Sequence, residues 1–391
     1  MAPSRLQPFS PRGSPVLRRS LSSAMANVPG SQVSNFNNFV IGALGLVAFF
    51  LLATCHSGPA ILPSVSLSSP SAQGGVRGEF HVYSKVLSPR REIFNGTEFV
   101  YQVPSNPRAV MFLAHGCNCK ASFFWDKHAE CATCSGAPEE RAFVMKALRK
   151  SYAVIAISSR EKCWRKDDSR RVKFILESWI DKFNLVELPL LGLGASSGGY
   201  FMSSFAKVVK FDAIVLMIAE GRFQTIPDST YPSVLFVHMV KDEVRAERIR
   251  KIIPVLRKAG IEADEIQCKE MNITDSFFAK RIPYIDPSMS VQLFELLMRS
   301  GCLDNRGYLK VDGRQLELKR EMSLGKGGQN LVDSLSLITD HWEHHIREEL
   351  NVAFSFHEFT SLPSGKIIAW LESHVTMPPN VTEQSLTRSS I

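Results

Sequence analysis

The run LPLLGLGASSGGYFMSSFAKVV (188–209) decides how the rest of the chain reads. Its first part is near-continuously apolar, the pattern of a strand covered on both faces. Its last part, rich in small residues, reads as a helix. Between them GASSGG (194–199) sets a serine on a sharp strand-to-helix turn, with glycines where neighbouring backbone must pass close by. G-x-S-x-G alone is a weak signal because both residue types are common. Its position at a strand-to-helix junction makes Ser196 a candidate nucleophile.

Similar apolar runs lie on either side. AVMFLAHG (109–116), YAVIAIS (152–158), DAIVLMIAE (212–220), SVLFVHM (233–239) and EIQCKEM (265–271) read as strands, and FHVYSKV (80–86) with TEFVYQV (97–103) as an antiparallel start. EERAFVMKALRK, RRVKFILESWIDKF, GGYFMSSFAKVV and AERIRKIIPVLRKAG supply crossover helices. Strands and helices alternating at this spacing predict an α/β protein with a doubly wound, mostly parallel sheet.

With the elbow and the ladder in view, the chain resembles the α/β-hydrolase superfamily, of the serine esterase and lipase kind. The resemblance covers roughly 109–268 and resumes near His357. It implies an order of nucleophile, acid and histidine. Asp242, after SVLFVHM, matches the acid; its role would be to accept the imidazole N–H and stabilise the imidazolium. Glu220, one strand earlier, is the reserve acid. His357, in SFHEFTSLPSGKIIAWLESH before an amphipathic helix, matches the base. The oxyanion hole would use the N–H of Ser197 and a donor in His115-Gly116-Cys117, so Gly116 and Cys117 are carried with it. No second or third glycine follows, which departs from the HGGG lipases. His341, His344 and His345 fall at i, i+3 and i+4 in DHWEHHIREEL but lack the Glu of H-E-x-x-H, and read as an exposed helix face.

Cys117, Cys119, Cys131 and Cys134 crowd beside the oxyanion loop, with Cys163 after the next strand. Disulfides, a zinc site and free thiols all fit this spacing, with disulfides favoured in an oxidising compartment. Phe123, Phe124 and Trp125 line an acyl pocket or form core. Residues 274–356 are a mainly helical insertion, read as a helix, a glycine stop, a small hairpin and one or two amphipathic helices. A lid, an interaction module for a protein partner, and plain packing are its possible uses.

The N-terminal segment has a separate character. Residues 39–55, FVIGALGLVAFFLLATC, carry no charge and approach the length needed to span a bilayer. Residues 1–78 contain five arginines and no acid, so five of the eight net positive charges sit there and the remainder carries only +3. The arginines before the apolar run orient a single-pass signal anchor with 1–38 as a basic cytosolic tail. Residues 56–78 form a Ser/Pro/Gly-rich stem, 79–273 the hydrolase core and 357–391 the histidine loop, final helix and tail. A cleaved signal peptide is one alternative. An organellar transit peptide is another, giving a chloroplast or mitochondrial location. Sequons at Asn95, Asn272 and Asn380 agree with a lumenal or extracellular domain in the secretory pathway.

The composition, 45% hydrophobic and 21% charged, is globular, and a body of net charge +3 gives no support to an electrostatic nucleic-acid surface. The expected activity is hydrolysis of an ester or related acyl substrate through an acyl-enzyme, with no metal or organic cofactor. A peptidase of the same fold and a hydrolase-fold binding or scaffold protein without turnover are the alternatives.

Overall fold

The run that ends in the elbow lies inside an eight-stranded sheet. In chain order its strands are β1 (Arg90–Phe94), β2 (Thr97–Gln102), β3 (Ala109–Ala114), β4 (Tyr152–Ile157), β5 (Leu190–Ala195), β6 (Ala213–Met217), β7 (Ser233–Met239) and β8 (Ala263–Cys268). In space the order is β1-β2-β4-β3-β5-β6-β7-β8. Strand β2 is antiparallel to both neighbours, and every pairing from β4 to β8 is parallel. The computed structural model describes residues 87–324 and 328–378, all within the unit Pro63–Ile391.

Strands β3 to β7 are apolar almost throughout because both faces are covered. Met111, Leu113, Val154, Leu193, Val215 and Val237 join one core, packed with Phe143 and Val144 of helix Pro138–Arg149 and with Ile367, Ile368 and Leu371 of helix Ser364–Ser373. Val110, Phe112, Ile155, Ile214, Leu216 and Phe236 join the other. Helices Asp168–Lys182, Ser197–Phe205 and Glu243–Lys258 close that side through Leu176, Phe201, Phe205 and Ile249. Strand order, the antiparallel β2 and helices on both faces fit the α/β-hydrolase fold.

Two details depart from expectation. The antiparallel opening is the hairpin β1–β2, whereas the run 80–86 lies outside the described residues. β1 is the edge strand RREIF, polar and largely exposed, so no apolar run marks it. Its turn is Asn95-Gly96, both at positive φ, a standard signal for a two-residue hairpin. The small hairpin expected in the insertion reduces to one bridge, Leu303 to Leu309.

The insertion builds its own core. Helices Phe277–Arg281, Pro287–Arg299, Leu318–Leu324, Gly328–Ile338 and Trp342–Phe354 bury Phe278, Leu293, Leu297, Leu335, Ile346 and Leu350 together. The last helix also reaches the main core through Val352. No helix among the described residues is long and apolar enough to cross a membrane. The segments 1–38, 39–55 and 56–78 and the sequon Asn380 lie outside the described residues.

Candidate active site

Ser196 sits between β5 and helix Ser197–Phe205 at φ 51° and ψ −115°, a conformation that costs a non-glycine residue energy and persists only where packing imposes it. The imposition is visible at the glycines. A Cβ on Gly194 would lie 2.2 Å from the carbonyl oxygen of Gly198, and one on Gly198 would lie 2.2 Å from that of Ala114. The turn is also tied down by Ser196 N–H donating to Met217 O at 2.9 Å.

The Ser196 Oγ is 3.0 Å from His357 Nε2. On the far side of the ring, His357 Nδ1 is 3.5 Å from Asp242 Oδ2. Thus three groups separated by up to 161 residues meet at the ends of β5 and β7 and at the loop after the insertion. Asp242 caps helix Glu243–Lys258, accepting the Arg245 N–H at 3.2 Å.

Several contacts hold the histidine loop. Ser355, in the left-handed region, ends helix Trp342–Phe354. Its Oγ donates to Cys268 O at 2.9 Å, and its carbonyl accepts Lys241 N–H at 3.0 Å, next to Asp242. Arg314 from the insertion donates to His357 O at 3.1 Å. Beyond His357, Glu139 accepts the Thr360 hydroxyl at 3.0 Å and the Ser361 N–H at 2.6 Å. Glu139 also pairs with Arg281 at 2.7 Å, and Arg281 pairs with Glu349. The insertion therefore braces the base.

Burial and the nearby Arg245 hold the His357 imidazole below its ordinary range, with Arg314 adding to them and Asp242 opposing. The ring is accordingly neutral near pH 7, the form a general base requires.

Gly116 lies beside the nucleophile: a Cβ built on it would be 3.9 Å from Ser196 Cβ. Among the described residues the N–H groups of Cys117 and Ser197 donate to no other group, leaving two backbone donors for a developing oxyanion. His115 shapes this loop. Buried and pushed down to about 4 by that burial, it is neutral. Its Nε2 accepts the Ser159 N–H at 3.0 Å, so the proton is on Nδ1, which donates to Gly116 O at 2.7 Å. The disulfide Cys117–Cys163 ties the same loop to the one after β4, and Cys131 pairs with Cys134. Cys119 remains a thiol.

Other sequence-level candidates fall elsewhere. Glu220 does not face His357; its carboxylate is taken by Tyr200, Arg245 and, at 2.8 Å, Arg248. Phe124 and Trp125 are fully buried core residues, so they line no accessible pocket, while Phe123 packs edge-on against His344. The three-histidine face is not uniformly exposed: His345 is buried and its Nδ1 meets the Tyr284 hydroxyl at 3.0 Å.

Helix Trp342–Phe354 also brings Glu348 and Glu349 against helix Pro138–Arg149, where Glu140 is buried. Burial raises the carboxyls of Glu140 and Glu348, with the charge of Glu140 raising Glu348 further; burial pushes Glu349 up to about 8. The folded state binds these protons more tightly than the unfolded chain, so the stability tied to them is full below about pH 4.5 and lost as pH rises through the folded values. His115 and His345, held low by burial, act in the opposite sense only below about pH 6.5. Between pH 6.5 and 8 the carboxyls therefore govern. A thermal melt at pH 8 should give a Tm lower than at pH 6.5 by on the order of 5 °C, and Glu348→Gln should flatten that slope. A melting temperature that rises over this interval would contradict the assignment.

No family model matches the chain, and neither does any curated protein. Solved structures do match. An α/β-hydrolase enzyme from a Medee basin deep-sea metagenome library is 17% identical, over 54% of this chain and 95% of that one, with a TM-score of 0.36. An esterase of Pyrococcus furiosus is 10% identical over 54% and 92%, with a TM-score of 0.35. A soluble variant of monoglyceride lipase from Saccharomyces cerevisiae, solved with a substrate analogue, is 11% identical over 48% and 87%, with a TM-score of 0.34. At these identities and scores the likeness is one of chain path.

Proposed function

We propose that this chain is a serine hydrolase acting on an ester or related acyl substrate. The observation that carries the reading is the 3.0 Å contact between Ser196 Oγ, on its strained turn, and His357 Nε2. Ser196 attacks the acyl carbonyl while His357 takes its proton, and Asp242 steadies the resulting imidazolium. The N–H groups of Cys117 and Ser197 receive the oxyanion. The proton returns to the leaving group, and water, activated by the same histidine, releases the acyl group. Labelling of the purified chain by a fluorophosphonate probe tests the proposal. A protein that takes no label at Ser196 is not a hydrolase of this kind, and the binding or scaffold alternative replaces it.

The same proposal places the catalytic unit in the lumen of the secretory pathway or outside the cell, anchored by 39–55. The sequons Asn95 and Asn272 are both exposed, as glycan addition requires. Glycosidase treatment should lower the apparent mass, and carbonate washing should leave the protein in the membrane fraction. Recovery as a soluble, unglycosylated protein from a plastid or mitochondrion would favour the transit-peptide alternative.

A further inference from the structure

The Asp242 carboxylate has two claimants. Its Oδ2 is 2.8 Å from Arg245 Nε and 3.5 Å from His357 Nδ1, so the guanidinium holds the closer contact. Its Oδ1 accepts the Arg245 backbone N–H at 3.2 Å. The guanidinium is itself fixed: Nη1 donates to the Tyr200 hydroxyl at 2.9 Å and pairs with the Glu220 carboxylate. Glu220 is steadied by Arg248 at 2.8 Å. Three elements thus aim one permanent cation at the acid of the site: helix Glu243–Lys258, helix Ser197–Phe205 and the segment after β6.

In a Ser-His-Asp arrangement the carboxylate stabilises the imidazolium through its negative charge. A guanidinium on the same oxygen offsets part of that charge, because a cation within a few ångströms disfavours a second one. The charged groups around the His357 ring are Asp242, the cap of helix Glu243–Lys258, Arg245 in that helix and Arg314 from the insertion. Only one of the three is an anion, and it is the one that Arg245 shares. Glu358, next in sequence, is turned to Asn351 Nδ2 at 2.7 Å.

We propose that Arg245 is a positioning residue of this site: by sharing the Asp242 carboxylate with His357 it keeps the imidazole uncharged at rest and extends turnover to acidic pH. The inference rests on the hydrolase reading above. Glu220 then has a role different from the reserve acid, as the counter-charge that limits how strongly Arg245 acts.

The two residues predict displacements of opposite sign. The test is the second-order rate of fluorophosphonate labelling of the full chain as a function of pH, whose acid limb reports the ionisation of the base in the free protein. Arg245→Gln removes the cation and frees the carboxylate for His357. Its acid limb should move up by about one pH unit, cutting labelling at pH 5 roughly tenfold while sparing the rate at pH 8. Arg245→Lys keeps the charge and should hold the limb near the wild-type position. Glu220→Gln removes an anion beside the guanidinium and should move the limb down. A purely structural role would slow all three at every pH without displacing the limb.

An acid limb that Arg245→Gln leaves in place, or lowers, overturns the proposal; so does an Arg245→Lys limb displaced as far as that of Arg245→Gln. Should Arg245→Gln fail to fold by circular dichroism, Glu220→Gln decides alone, a downward displacement supporting the inference and any other result overturning it. Absence of wild-type labelling at pH 8 overturns the hydrolase reading and this inference with it. Normal labelling with undisplaced limbs overturns this inference only.

Discussion

Ser196→Ala should abolish fluorophosphonate labelling and reduce any ester turnover by about 10⁶-fold, the order seen when a triad nucleophile is removed. The fold should survive. Among the described residues the Ser196 side chain makes one hydrogen bond, to His357, and the turn is held by backbone contacts and glycine packing that alanine leaves intact. Alanine is no better suited to φ 51° than serine, so the strain is the same on both sides of the comparison. Ser197→Ala is the matched control. The Ser197 hydroxyl is buried with no hydrogen-bond partner among the described residues, while the proposed role uses only its backbone N–H. That variant should therefore keep most of the activity and lose no stability, since an unsatisfied buried hydroxyl disappears. Mass spectrometry of the labelled peptide reads both variants at once. Label that persists in Ser196→Ala, or vanishes in Ser197→Ala, would move the nucleophile by one residue.

The elbow was legible because its determinants are local. A strand ending in Gly-Ala, then two serines and two further glycines, all within six residues, require no tertiary knowledge, and the glycines' collision distances explain the pattern afterwards. Strands β3 to β7 were legible for a similar reason, since burial on both faces writes itself as nearly unbroken apolar runs, whereas the parallel edge strand β8, ADEIQC, is half polar and half exposed. Edge strand β1 was not, because exposure leaves it polar; its Asn95-Gly96 turn was the available signal. The sequence does not mark His345 as buried, because i, i+3, i+4 spacing says which residues share a face, and not what the face meets. It meets Tyr284, in the short link between helices Phe277–Arg281 and Pro287–Arg299, 61 residues earlier in the chain.

Least legible were the supports of the site. Glu139, Arg281 and Glu349 form a chain of ion pairs joining helix Pro138–Arg149 to two parts of the insertion, with sequence separations of 142 and 68. Arg245 and Glu220 are 25 residues apart on different elements. Charged residues of this kind look like solvated surface until tertiary structure removes their water, after which pairing becomes obligatory. The oxyanion loop shows the same limit. His115 stands in the sequence as part of an HG pair, yet its work in the structure is to fix the Gly116 carbonyl through a neutral ring, which only its burial and the Ser159 N–H reveal.

The insertion bears on the second large effect, at His357. The residue is reached only after some eighty residues of helices, yet its ring meets Ser196 at hydrogen-bonding distance. His357→Ala should cost turnover about as much as loss of the nucleophile, because neither group acts without the other. Asp242→Asn should cost less than the roughly 10⁴-fold expected for an unshared carboxylate, since Arg245 already takes part of that charge. His341→Ala and His344→Ala, both exposed, should leave turnover near wild type. His345→Ala differs in kind: it removes a buried ring and orphans the Tyr284 hydroxyl, so it should lower Tm while the intact protein keeps its labelling rate. Turnover and melting temperature measured on the same five variants separate the two classes. A His357→Ala protein that turns over at wild-type rate removes the base from the proposed mechanism. A His345→Ala protein that melts normally but labels slowly would transfer the functional role to the insertion helix.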